Sequence, residues 1–170
     1  MKIYVLTDLE GVTAIDDAAQ ADFDSKEVYR QSCEKLMLDL NAAVAGAFDG
    51  GADYVAVVDG HGGRYRENFL LDMLDKRATY VDRVKDDRPV LDESFTGTFH
   101  VGTHAMAGTL NGFLDHTQNS TTIFNWLVNG RRIGELAQCG LSSGAHGVPV
   151  LMVAGDEAAC AEARAVFGPI

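Results

Sequence analysis

The chain has 170 residues, a formal net charge of −11 and a hydrophobic fraction of 46%. That mix builds one globular domain with its own core and excludes a disordered tail or a fibrous protein. Fourteen lysines and arginines against 25 aspartates and glutamates disfavour a nucleic-acid binder, which needs a basic patch to neutralise phosphates.

Apolar runs such as residues 148–154 fall far short of the roughly 20 residues a membrane span needs, so no membrane partner is expected. The opening MKIYVLTDLEG reaches Asp8 too soon to hold a signal-peptide core, and a cytoplasmic location is the expectation. Cys33, Cys139 and Cys160 are widely spaced, with no CxxC, so neither a disulfide framework nor a cysteine zinc cage is expected.

Residues 2–7 are apolar and β-branched and end at Asp8, which predicts a buried first strand. Leu36, Leu40, Val44 and Phe48 recur every four residues, one face of a helix over 25–48 that stops at Gly50-Gly51. Residues 54–58 form a second strand, closed by Asp59-Gly60-His61-Gly62-Gly63. A short helix over 67–74, a short strand over 78–81 and a polar loop over 85–93 follow.

Residues 97–103 are a further strand ending at His104. The segments 121–128 and 131–133 flank Asn129-Gly130, which signals a hairpin with a type I′ turn. A helix starts at Glu135. Residues 148–153 are a final buried strand, and 157–167 a final helix before Gly168-Pro169. Strands alternating with helices predict an α/β fold with a mostly parallel central sheet, flanked by helices and carrying one β-hairpin.

Such sheets place their sites at the carboxyl ends of their strands. Asp8, His61 and His104 each follow a predicted strand there. In extended chain, residues i and i+2 point the same way, so Asp8 and Glu10 aim two carboxylates at one spot while Leu9 turns to the core. Two close carboxylates repel unless a cation or a proton lies between them. A polar turn after a strand would read the same.

Asp59-Gly60-His61 repeats that spacing, beside glycines that let the backbone approach a ligand. Taken alone it also reads as a glycine-rich turn. Glu135 near a helix start also suits the helix dipole, and His116 also reads as an exposed loop histidine. His100 and His146 receive no role. Together the two histidines and three carboxylates suit borderline divalent metals, zinc above all, and they are too many for one tetrahedral ion. They suit two ions bridged by one carboxylate.

Two motifs compete. Gly140-Leu141-Ser142-Ser143-Gly144 has the spelling of a nucleophile elbow, but a helix-like segment precedes it where a strand is required. Asn119-Ser120-Thr121 spells a glycosylation site, with nothing to suggest secretion.

TDLEG, DGHGG, GTHAM, LDH and GELAQCG, followed by VPVLMVAGD, run from the first strand to Asp156 in an order that resembles the D-aminopeptidase (DppA) family, peptidase family M55. The resemblance implies a dinuclear zinc aminopeptidase acting on short peptides with a free amino terminus, D-alanyl peptides being the family's substrate type. It implies Asp8 as the bridging ligand, Glu10 and His61 on one zinc, and His104 and Glu135 on the other, with His116 acting directly in catalysis. It also implies a homodecamer with a central channel that admits only small substrates.

Family members continue past residue 170 into a C-terminal domain. The resemblance thus implies correspondence to the N-terminal domain of a two-domain fold, as a fragment or a short variant, and for a fragment exposed apolar surface is expected where the other domain would pack. A second resemblance is to haloacid-dehalogenase-like phosphatases. There Asp8 would be a nucleophile working with magnesium, and Val153-Ala154-Gly155-Asp156 a late acidic motif. That reading leaves DGHGG, GTHAM and GEL without work. A non-catalytic lobe that binds metal or peptide is the third reading.

Overall fold

A computed structural model describes residues 1–62, 68–82 and 91–170. Strand β1 (Lys2–Thr7) is followed by α1 (Lys26–Asp49), β2 (Tyr54–Asp59), β3 (Thr79–Tyr80) and β4 (Gly97–Thr103). A hairpin of β5 (Leu127–Val128) and β6 (Arg131–Arg132) comes next, then α2 (Glu135–Gly144), β7 (Val150–Gly155) and α3 (Glu157–Phe167). The five long-range strands pair in the order β3-β2-β1-β4-β7, all parallel. The predicted α/β class, parallel sheet and hairpin are what the chain forms.

The register explains the layers. Ile3 pairs with Val55 and Val5 with Val57 and Phe99, so these side chains share one face of the sheet. They form one core with Leu36, Met37, Leu40 and Val44 of α1. The four-residue recurrence of α1 is thus the stripe that covers this face. Leu6 pairs with His100 on the opposite face, where both line a small cavity with Leu136 and Cys139 of α2. Helix α3 packs along β7.

The chain runs from β1 outward through β2 to β3, then returns to place β4 on the other side of β1. The carboxyl ends of β1, β2 and β4 therefore meet at a switch point, the usual crevice of an open α/β sheet. Two glycines let them close up. A Cβ on Gly11 would lie 2.0 Å from the Thr103 carbonyl oxygen, and one on Gly60 2.4 Å from that of Thr7. No real Cβ sits so close, so these turns require glycine.

Several expected elements differ. Residues 68–74 form turns and coil, while Glu67 of the expected helix lies outside the described residues, as do residues 85–90 of the expected loop and Gly63. Asn41 of α1 takes the backbone there into its own bonds. It donates to the Met73 carbonyl at 2.8 Å and accepts the Asp75 N–H at 2.9 Å, so these groups are satisfied without a helix. The expected strand over 121–128 shrinks to Leu127–Val128. Asn119 Oδ1 accepts the N–H groups of Thr121 and Thr122 at 3.0 and 2.9 Å, which holds the preceding residues in a turn. At the hairpin tip Asn129 and Gly130 both have positive φ, 50° and 77°, as a type I′ turn requires.

The last strand is shifted to Val150–Gly155 and is an edge strand, not a buried one; Leu151 stands half exposed. Gly140 to Gly144 lies inside α2, so no strand-to-helix elbow forms there. Asp156 caps α3, accepting the Ala159 N–H at 2.6 Å and the Phe113 N–H at 2.9 Å. Exposed apolar surface is present: Leu110 is 87% exposed, and an apolar cleft of about 770 Å³ opens between α2, α3 and the hairpin. No helix among the described residues is long and apolar enough to cross a membrane.

Candidate metal centre

Asp8 leaves β1 with its backbone N–H bonded to the Val101 carbonyl of β4 at 2.8 Å. Its carboxylate stands between two histidines. Oδ1 is 3.0 Å from His61 Nδ1, and Oδ2 is 3.3 Å from His104 Nε2. Each histidine has a second carboxylate of its own. Glu10 Oε2 is 3.1 Å from His61 Nδ1, and Glu135 Oε1 is 3.4 Å from His104 Nε2. Leu9 is fully buried, as the i, i+2 argument requires. Five expected residues from four parts of the chain thus meet in a two-sided cluster with Asp8 at its middle.

His116 joins on the Glu135 side, its Nε2 3.7 Å from Glu135 Oε1. Its ring stacks on that of His104 with centroids 3.9 Å apart and planes 13° from parallel. Each of the two rings is 2.8–2.9 Å from a main-chain carbonyl through Nδ1: His104 to Ala105 and His116 to Leu114. A carbonyl only accepts, so each Nδ1 donates its proton there and Nε2 faces the cluster, where its lone pair becomes available to a metal once that nitrogen is unprotonated. That is how metal-binding imidazoles are commonly oriented.

Backbone strain sets this geometry. Leu114 and Gln118, on either side of His116, have φ of 49° and 64°. The first turns its carbonyl to His116, and the second directs its N–H to Glu135 Oε1 at 2.6 Å.

Electrostatics follow from burial. Burial, aided by the charge of Glu10, pushes the Asp8 carboxyl up to about 6. Burial alone would lower His61, but the close Asp8 and Glu10 carboxylates outweigh it and push the imidazole up to about 10. His104 also rises to about 10, where Glu135, Asp8 and Glu10 outweigh burial. Burial would raise Glu10 and Glu135, yet His61 holds the first well below the usual carboxylate range and His104 lowers the second.

The residues fit a metal pair. Asp8, Glu10 and His104 each offer a ligand atom within 4.8 Å of the others, and so do His104, His116 and Glu135. His61 Nδ1 offers one proton to two carboxylates, and Glu10 Oε2 is a buried acceptor without a hydrogen bond. His61 Nε2 is likewise buried and unbonded. Orphaned buried polar atoms are costly, and a cation between the carboxylates would satisfy Glu10 Oε2. The donors, all oxygen and imidazole nitrogen, suit zinc.

Above the cluster a pocket of about 680 Å³ is lined by all three carboxylates, His61 and His116 together with Ala21, Phe23 and Asn119. That is the size range of small-molecule sites. Some neighbours carry no sequence signal. Phe23 stacks on His61 at 5.5 Å from a stretch that showed no motif, and His100 is buried beneath the cluster.

Fold and cluster define a parallel α/β domain with a cluster of potential metal donors at the strand switch point. The sequence model of peptidase family M55, D-aminopeptidase, matches residues 1–170, and the chain belongs to that family. A D-aminopeptidase of Bacillus subtilis (strain 168) is 32% identical over 169 residues, covering 96% of this chain and 59% of that protein. The solved structure of the Zn-dependent D-aminopeptidase DppA from Bacillus subtilis, described as a self-compartmentalizing protease, matches with a TM-score of 0.88 at 30% identity. The match covers 97% of this chain and 60% of that one. The chain thus spans about three fifths of the length of these relatives. Family membership decides against the phosphatase resemblance, and Asp156, its supposed late acidic residue, serves as a helix cap.

Proposed function

We propose that residues 1–170 form the metal-binding catalytic domain of a zinc-dependent aminopeptidase. It cleaves short peptides with a free amino terminus, D-alanyl peptides foremost, with two zinc ions per chain. The observation that carries the reading is Asp8, whose two oxygens each face a different histidine, each histidine backed by a further carboxylate. Support comes also from family membership and from the zinc dependence of the Bacillus subtilis relative.

In this reading Glu10 and His61 would hold one ion, His104 and Glu135 the other, and Asp8 would serve both. Bound zinc supplies Lewis acidity, polarising a peptide carbonyl and acidifying water. The chain's own residues do the rest. Leu114 fixes the His116 tautomer, so Nε2 is free to exchange a proton at the scissile amide.

The stacking geometry supports a separate role for His116. An imidazole lone pair lies in its ring plane, and two nearly parallel planes 3.9 Å apart do not share one ion well. His104, the closer of the two to Asp8, is the ligand, and His116 carries protons. Assembly into a homo-oligomer, in keeping with the self-compartmentalizing relative, and a cytoplasmic location belong to the same proposal.

The test is hydrolysis of D-Ala-D-Ala by the purified 170-residue chain, run with bound metal measured by elemental mass spectrometry. Release of D-alanine by protein carrying about two zinc ions supports the reading. Two bound zinc ions without hydrolysis of D- or L-peptides would favour a metal-binding lobe that does no chemistry alone.

A further inference from the structure

Asn68 belongs to no motif that pointed to the site, yet it is fully buried. Its side-chain amide donates to Asp59 Oδ1 at 3.0 Å and to the His61 carbonyl at 2.9 Å. Its backbone N–H donates to Asp59 Oδ2 at 3.0 Å, and its Oδ1 accepts the hydroxyl of Tyr29 from α1. Asp59 Oδ1 also accepts the His61 N–H at 3.1 Å. Both main-chain polar groups of His61 are therefore tied to one buried Asp59–Asn68 pair, which Tyr29 fastens to α1.

The other half of the cluster is built differently. His104 and His116 bond through their rings to the carbonyls of Ala105 and Leu114, one and two residues away. Local chain geometry orients them. For His61, Asp59 two residues back takes the N–H, but the His61 carbonyl and Asp59 itself are held by Asn68, seven positions ahead of His61, and Asn68 by Tyr29, 32 positions behind His61.

We infer that Asn68 is a positioning residue for the His61 half of the metal centre, and that the two half-sites depend on separate parts of the fold. The inference rests on the two-metal reading above. Asn68 touches no reacting group. It fixes the backbone from which His61 projects, and partners that orient a ligand typically govern metal affinity by about 10–100-fold.

The experiment is a calorimetric zinc titration of the metal-free full chain, wild type beside Asn68→Ala and Tyr29→Phe. Circular dichroism and thermal unfolding report whether each variant is folded. The expected result is two sites in the wild type. In Asn68→Ala one site should keep wild-type affinity while the other weakens by about 10–100-fold. Tyr29→Phe leaves the Asn68 amide bonds in place and should weaken the same site by less.

Combination identifies the site. Adding Asn68→Ala to His61→Ala should cost little more than His61→Ala alone, whereas adding it to His104→Ala should still weaken the remaining site by about 10–100-fold. A folded Asn68→Ala that binds both ions as the wild type does, or weakens both equally, overturns the inference. If Asn68→Ala does not fold, Tyr29→Phe decides, and an unchanged titration overturns it. A wild-type chain that takes up fewer than two ions overturns the two-metal reading itself, a failure seen before any variant is compared.

Discussion

His104 and His116 lie ring on ring, 3.9 Å between centroids, and each turns its Nε2 toward Glu135. One geometry thus presents two imidazoles to the same carboxylate. Assigning the ligand role to His104 and the proton role to His116 separates their variants sharply. His116→Ala should lower kcat by about 10²–10⁴-fold, the usual contribution of a general acid or base, with zinc content unchanged. His104→Ala should lose zinc. Elemental mass spectrometry beside peptide hydrolysis checks both, and loss of zinc in His116→Ala would reverse the assignment.

Asp8 is the member shared by both sides of the cluster. Its replacement should therefore cost more metal than replacement of a terminal ligand. Asp8→Ala should retain close to no zinc after desalting, whereas Glu10→Ala or Glu135→Ala should keep about one ion per chain. Equal retention in all three variants would mean that Asp8 does not bridge.

The sheet, the long helix and the cluster were legible because their signals are local. In β1 residues 3–6 run apolar and burial alternates along the strand, and α1 shows its stripe in Leu36, Leu40 and Val44. Asp8, Glu10, His61 and His104 follow strand ends, where backbone periodicity and the switch-point rule place side chains without knowledge of the rest. Glu135 entered only in sum with the other donors, since a carboxylate at a helix start is common, and His116 gained its role through family resemblance, since a loop histidine is common. The network of Asp59, Asn68 and Tyr29 was not legible, because its members pair across 9 to 39 positions and no period joins them. The coil at 68–74 was misread for the same reason: Asn41, far away in sequence, bonds its backbone.

The core should answer to substitution as a tightly closed one. Leu36 is fully buried in the middle of α1 against the sheet. Leu36→Ala removes apolar area and leaves a cavity, and should destabilise the chain by about 2–5 kcal/mol. Chemical denaturation reads this directly. A loss below about 1 kcal/mol would mean that α1 does not cover the sheet as tightly as its burial indicates.

Zinc uptake should depend steeply on pH. His61 and His104 are pushed up to about 10 by the carboxylates around them, so in the metal-free chain both carry a proton at neutral pH. Zinc takes only the unprotonated imidazole, so binding expels protons and affinity rises with pH. Calorimetry at pH 7 in two buffers of different ionisation enthalpy should show net proton release for each ion bound. The metal-free stability has the opposite sign. Raised histidines stabilise the fold fully below about 6.5, and that contribution is lost as pH rises through about 10. Zinc affinity that stays flat between pH 6 and 8 would contradict the protonated state.

His100 gives the reverse dependence on the acid side. It is buried on β4 with Thr98 Oγ1 3.2 Å from its Nε2, and burial pushes its imidazole down to about 4. The unfolded chain binds that proton near pH 6.5, so between the two values the unfolded state holds more protons. Stability therefore falls as pH drops from about 6.5 toward 4, by at most about 3 kcal/mol from this residue. The contribution is isolated by comparing urea midpoints at pH 7 and pH 4.5 for the wild type and for His100→Asn, which keeps a polar partner for Thr98 without a titrating ring. The acid-side loss should shrink in the variant. An identical loss in both proteins would assign the acid sensitivity to other groups.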